Sequence, residues 1–125
     1  MKNAYLEHTN LTVKDPDELA ELFCRLFDWK IRWRGDALND GLTVHVGCNE
    51  SYLALYTHDD VTDTRSRNTI KINNLNHLGI VVSDIDEVES KVKEEGYEPF
   101  NHADYDPGKR FYFLIDKLEV EVISY

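Results

Sequence analysis

Leu6-Glu7-His8-Thr9-Asn10-Leu11-Thr12-Val13-Lys14-Asp15 lies without a gap over Leu75-Asn76-His77-Leu78-Gly79-Ile80-Val81-Val82-Ser83-Asp84, at a constant offset of 69 residues. Leucine, histidine, valine and aspartate coincide. Self-similarity at a fixed spacing marks a repeated structural unit. The match runs on into Asp15-Pro16-Asp17-Glu18 and Asp84-Ile85-Asp86-Glu87. Each sets an aspartate before a helix and a glutamate three residues later, the capping-box spacing, with Pro16 at the favoured first helical position.

The helices that follow are legible from their apolar stripes. Leu19, Leu22, Phe23, Leu26 and Phe27 recur at helical spacing and give the first helix one apolar face. Ile85, Val88 and Val92 do the same for the second, which should stop at Gly96. After the first helix, strands are predicted over Lys30–Arg34, Leu42–Val46 and Tyr52–Thr57. After the second they are predicted over Glu98–Asn101, Arg110–Ile115 and Leu118–Ser124. The last two strands of each set read as hairpins turning at Asn49-Glu50 and Asp116-Lys117. Each half is therefore strand–helix–strand–strand–strand, one module over about residues 4–57 and the other over 75–125. The polar stretch 58–74 links them, and the whole, 1–125, is expected to form one domain, because half-size modules cannot cover both faces of a sheet alone.

Composition narrows the function classes. The 125 residues are 42% hydrophobic and 11% aromatic, enough to fold without disulfide or metal staples. Fourteen Lys and Arg stand against 24 Asp and Glu, a net charge of −10 with no basic run, which argues against a nucleic-acid partner. Apolar stretches are too short for a membrane span. Met1-Lys2-Asn3 leads into a strand-like run with no apolar signal core, so a cytoplasmic location is expected. Cys24 and Cys48 make no C-x-x-C pair and read as reduced thiols.

The repeat places His8 and His77 at equivalent points. In the closing strand Leu118-Glu119-Val120-Glu121-Val122-Ile123, valines and isoleucine are expected on the helix side, with Glu119 and Glu121 opposite. If the modules pair about a pseudo-twofold axis, His8, His77 and Glu121 converge. Two imidazoles and a carboxylate with open positions beside them suit a divalent metal.

These features together resemble the vicinal oxygen chelate superfamily, which includes glyoxalase I, bleomycin-resistance proteins, fosfomycin-resistance enzymes, methylmalonyl-CoA epimerase and the extradiol dioxygenases. The resemblance spans Leu6 to Tyr125, with Gly108-Lys109-Arg110-Phe111-Tyr112-Phe113-Leu114 matching the family's penultimate strand. It departs in lacking the usual Asp-Pro-x-Gly turn there. It implies an α+β fold in which two paired βαβββ modules form a cup-shaped mixed sheet. It also implies a divalent transition metal (Fe, Mn, Zn or Ni) held by His8, His77 and Glu121, and commonly a homodimer. A fourth ligand position is implied on Tyr52–Thr57. Aligning the hairpins at an offset of 67 places Ala54 opposite Glu121, which disfavours glyoxalase I itself and leaves a His-His-Glu set.

Strand alternation then suggests what lines the cup. Asn10 shares the face of His8, and Tyr52 and Tyr56 that of Ala54. His45 aligns with Tyr112, and Thr43 with Arg110. Tyr112 and His45 are candidate acid–base groups. Asn10, Tyr52, Tyr56 and Arg110 are candidate substrate contacts, Arg110 through its planar fork for a carboxylate or phosphonate. In the fosfomycin enzymes a threonine near the first histidine corresponds to Asn10, another departure. Trp29 and Trp33, after the first helix, fit core, cup edge or dimer contact. His102 is placed in a loop near the cup, and His58-Asp59-Asp60 and Asp104-Tyr105-Asp106 read as solvated acidic loops.

The expected function is a metal-dependent enzyme acting on a small molecule that chelates the metal through neighbouring oxygens. Its reaction would be that of a lyase, isomerase, transferase or dioxygenase. The alternative is a non-catalytic drug-binding protein of the bleomycin-resistance type, to which the acidic charge, the tyrosines and Ala54 point.

Overall fold

In the computed structural model, which describes residues 3–37, 40–63 and 71–125, the repeat becomes two compact units of the same construction, Met1–Asp63 and Thr64–Tyr125. The first contains β1 (His8–Thr12), α1 (Pro16–Phe27), β2 (Lys30–Ala37), β3 (Gly41–Gly47) and β4 (Tyr52–Thr57). The second contains β5 (Leu78–Val81), α2 (Ile85–Glu94), β6 (Phe100–Tyr105), β7 (Gly108–Ile115) and β8 (Leu118–Ser124). Both are βαβββ, and the class is α+β as expected. Part of the predicted linker, residues 64–70, lies outside the described residues.

Each unit holds a four-stranded mixed sheet, in the orders β1-β4-β3-β2 and β5-β8-β7-β6. The first strand of each runs parallel to the last, and the other pairings are antiparallel. Register carries the repeat to single residues. Asn10 stands opposite Ala54 where Gly79 stands opposite Glu121, and His45 pairs with Ala54 where Tyr112 pairs with Glu121. Both sequence offsets are thus realised, and Ala54 occupies the position that Glu121 holds in the other unit.

The helices start where capping predicts. Asp15 Oδ1 accepts from the Glu18 backbone N–H at 3.1 Å, and Asp84 Oδ1 from that of Glu87 at 3.0 Å, each cap contributing about 1 kcal/mol. α1 ends at Asp28, which takes a left-handed φ of 58°, and Gly96 at φ 94° turns the chain after α2. α1 buries Ala20, Leu22, Phe23 and Leu26. Leu22, Phe23 and Leu26 of the predicted stripe are thus inside, Ala20 joins them, and Leu19 and Phe27 are half-buried on the flanks. Trp29 closes this end against Phe23 and Phe27, with ring centroids at 5.7 and 5.5 Å. Val44, Val46, Leu53 and Leu55 complete the core of the first unit. In the second, Val88 and Val92 of α2 are buried, as are Phe111, Phe113, Val120 and Val122 of the sheet.

Four expectations need correction. β6 runs to Tyr105 and β7 begins at Gly108, so the hairpin turns at Asp106-Pro107 and His102 lies on a strand, not in a loop. The cause is a bulge between Phe100 and Ala103, with Asn101 at φ 52°, which breaks the alternation that reveals a strand. His102 consequently meets Glu89 of α2 at 3.1 Å and stacks on Phe111 on the helix side. Asp104 and Tyr105 likewise belong to β6. Ile123 pairs with Arg110, two residues from the Tyr112–Glu121 pair, so strict alternation puts it on the glutamate face and not with the valines. His77 precedes β5 by one residue, whereas His8 opens β1.

Candidate functional site

Glu121 organises the open face of the second sheet. Its Oε2 accepts from the Tyr112 hydroxyl at 2.7 Å and from Arg110 Nη1 at 3.2 Å. Tyr112 is its register partner on β7, and Arg110 stands two residues away on the same face. With Oε2 tied, Oε1 is directed at His77, 3.7 Å from its Nε2. Glu119, two residues earlier on β8, reaches 3.9 Å from His77 Nδ1. The Tyr112 ring meets the His77 ring edge-on at 5.8 Å and Phe100 at 6.1 Å. The bond to Glu121, reinforced by burial, raises the Tyr112 pKa above its ordinary value, so the phenol stays a protonated donor at neutral pH. Burial opposes the charge on Arg110, but Tyr105, Glu121 and Tyr112 together raise its pKa.

The two histidines share one device. His8 Nδ1 lies 2.9 Å from Glu7 Oε1, and His77 Nδ1 lies 2.8 Å from Asn76 Oδ1. Both partners are acceptor oxygens on the preceding residue, at equivalent points of the repeat. Nδ1–H is therefore the donor in each neutral ring, and Nε2 carries the lone pair, the tautomer that ligand histidines use.

The open face of the first sheet is aromatic. His8 stacks on Tyr52 at 5.0 Å, Tyr52 meets His45 at 4.6 Å, and His45 meets Trp33 at 5.0 Å. This row crosses all four strands. Arg32 lies over the Tyr52 ring at 4.4 Å while its Nη1 donates to the Cys48 carbonyl, and the Tyr52 hydroxyl donates to Glu7. Gly35 makes room for Trp33, because a Cβ there would sit 2.5 Å from the indole. Burial, with the positive charge of Arg32 nearby, depresses the His45 pKa and keeps its imidazole neutral.

The predicted residues thus fall into two clusters, each within one unit: His8, His45 and Tyr52 in the first, and His77, Arg110, Tyr112 and Glu121 in the second. Asn10 is exposed on β1 beside Ala54, and Tyr56 leans on His58 at 5.5 Å. Sequence reasoning did not single out Glu7, Asn76, Arg32, Gly35 or Tyr105. The aligned repeat did contain the signal for the first two, since Glu7 and Asn76 occupy one column.

Among the described residues no group of three or more His, Cys, Asp or Glu side chains gathers closely enough to hold a metal ion. The pair His77 and Glu121 nevertheless fits one. Two donors bound to the same ion at about 2.1 Å each can stand no more than about 4.2 Å apart. Nε2 and Oε1, at 3.7 Å, meet that limit with the correct tautomer and a restrained carboxylate.

Two repeated βαβββ units, each carrying a histidine at the head of its first strand, define the architecture of the vicinal oxygen chelate proteins. The chain belongs to the Glyoxalase/Bleomycin resistance protein/Dioxygenase superfamily, whose family model matches residues 5–118. A glyoxylase/bleomycin resistance protein/dioxygenase domain from Frankia sp. EAN1pec is 20% identical, with a TM-score of 0.80 and 98% of both chains covered. The genomically encoded fosfomycin resistance protein FosX from Listeria monocytogenes is 16% identical, with a TM-score of 0.73 over 98% of this chain and 93% of that one. That structure is of a mutant complexed with Mn(II) and 1S,2S-dihydroxypropylphosphonic acid. FosX from Mesorhizobium loti is 16% identical at a TM-score of 0.71, covering 98% of this chain and 92% of that one. At these identities the likeness establishes the fold alone. Among curated proteins none matches the chain. No helix among the described residues is long and apolar enough to cross a membrane.

Proposed function

We propose that the protein is a cytoplasmic, divalent-metal-dependent enzyme acting on a small molecule with two neighbouring oxygens. His8, His77 and Glu121 hold Fe, Mn, Zn or Ni. The observation that carries this reading is the shared histidine device: each Nδ1 is tied to the preceding side chain, so each Nε2 is free to ligate. When bound, the ion supplies Lewis acidity to the chelating oxygens of the ligand. The side chains do the rest. Tyr112 and Arg110 fix the carboxylate of Glu121, so that one oxygen faces His77 and the other is spent on hydrogen bonds. His45, neutral and set in the ring row, is the group suited to take a proton from the ligand. The family admits lyase, isomerase, transferase and dioxygenase chemistry.

A homodimer is part of the proposal. Mixing His8→Ala with Glu121→Ala subunits distinguishes the two ways of completing the site. If His8 serves its partner's Glu121, one site in the mixed dimer stays whole; if each chain builds its own, both are damaged.

Metal content measured on tag-free protein tests the reading. About one transition metal per chain is expected, lost in both His77→Ala and Glu121→Ala. Retention in either variant overturns the ligand set. A second reading, a non-catalytic binder of a flat ligand, is favoured by the row of four rings, which offers a stacking surface independent of any metal. Ligand binding unaffected by exhaustive chelation would decide for it.

A further inference from the structure

Arg110 is the one described residue whose buried side-chain donors lack a hydrogen-bond partner: Nε and Nη2 make no bond, while Nη1 is used on Glu121. Those two donors form a single edge of the guanidinium, with their N–H bonds parallel and in one plane. Leaving such groups buried and unpaired is unfavourable, because their lost hydration is not replaced. The same molecule displays what this edge does when an acceptor is present. Arg34 donates Nε to Asp17 Oδ1 at 2.7 Å and Nη2 to Asp17 Oδ2 at 2.9 Å, gripping both oxygens of one carboxylate.

We infer that the Nε–Nη2 edge of Arg110 is a receptor for an oxyanion carried by the ligand, two of whose oxygens it grips as Arg34 grips Asp17. The ligand class is a carboxylate or a phosphonate. The inference rests on the proposed function only in treating the anion as part of the substrate; the grip itself needs no metal. Three groups surround the guanidinium. Glu121 occupies Nη1 and offsets one positive charge, so the anion is held by directed hydrogen bonds more than by net attraction. Tyr112 shares Glu121 and keeps the arginine's used edge in place. Tyr105 lies with its ring 5.0 Å from the guanidinium carbon. It is 61% exposed on the edge strand β6, so it can swing out for an entering anion without opening the core. The anion would then stand on the same sheet face as Glu121 and His77, which fixes one end of the ligand beside the chelating centre.

The test reads the Arg110 Nε–H directly in 1H–15N spectra of the chelator-treated full chain. Acetate and methylphosphonate are titrated separately against chloride at matched ionic strength. The expected result is a saturable shift of that resonance with one of the two oxyanions and none with chloride. The favoured probe identifies carboxylate or phosphonate as the class. Arg110→Lys, which keeps the charge and loses the fork, should weaken binding about tenfold or more, read in both proteins from the backbone amide shifts of Tyr105 and Tyr112. Tyr105→Ala should leave binding intact or tighten it. No saturable shift with either oxyanion, or equal binding in Arg110→Lys, overturns the proposal. Because the protein is metal-free throughout, failure here leaves the metal assignment standing, and loss of the metal assignment leaves this result standing.

Discussion

The Tyr112 hydroxyl donates to Oε2 of Glu121 at 2.7 Å, across a register pair of the β7–β8 hairpin. Rigid neighbouring strands hold both residues, so the carboxylate rotamer is set before any ion arrives. Tyr112→Phe removes that donor and leaves Arg110 as the second. Divalent-metal affinity by titration calorimetry should fall about 10–100-fold, the usual effect of removing a hydrogen bond to a ligating group. Folding stability should fall by about 1–3 kcal/mol in urea unfolding. An unchanged metal affinity would remove Tyr112 from the positioning role.

Asn76 and Glu7 do the corresponding work for the histidines. Asn76→Ala frees His77 Nδ1, and the ring loses both its orientation and its fixed tautomer. Long-range 1H–15N spectra should show His77 protonated at Nδ1 in the parent chain and moving toward the Nε2-protonated form in the variant. Metal affinity should drop about tenfold. If the tautomer does not change, the hydrogen bond to Asn76 is not what sets it.

What the sequence made legible follows from what was repeated. The offsets of 69 and 67 fixed the βαβββ order, the caps at Asp15 and Asp84, and the equivalence of Ala54 with Glu121. The cap hydrogen bonds bear out the helix starts, and register bears out the strand equivalences because pairing preserves spacing from one unit to the next. The bulges were not legible. At Phe100–Ala103 and at Ile31–Trp33 the alternation slips, and with it went the ends of β6 and the placement of His102 and Tyr105. The side-chain network was only half visible. Arg110 and Tyr112 were on the expected face, but nothing in residue identity says that one arginine edge is used and the other left open.

Gly35 is the tolerance point of the ring row. Its substitution by alanine puts a methyl 2.5 Å from Cζ2 of Trp33, and that ring, 49% exposed, is free to give way. In Gly35→Ala the indole N–H resonance of Trp33 should shift while that of Trp29, packed on Phe23 and Phe27, stays in place. Stability should change by about 1 kcal/mol or less, since the displaced group lies at the surface. A flat ligand that binds the row should lose affinity in this variant. Unchanged binding would put the ligand elsewhere.

Arg34 and Asp17 join β2 to α1 by two parallel hydrogen bonds, and their acid response has a definite sign. The bonds from Arg34, against a smaller opposing effect of burial, hold the Asp17 pKa below its ordinary value. The folded chain therefore releases this proton more readily than the unfolded chain does. The bridge's contribution is complete above the unfolded-state aspartate pKa of about 3.9, and it disappears as pH falls through the lower folded-state value. Both side chains are about half exposed, so solvent screening limits the contribution to about 0–1 kcal/mol. Arg34→Met should accordingly be less stable than the parent at pH 7 by no more than about 1 kcal/mol, with the gap shrinking in 1 M salt. Below the folded-state pKa of Asp17 the two proteins should unfold at the same urea concentration. A gap that survives there would mean that the arginine stem acts by packing rather than by charge.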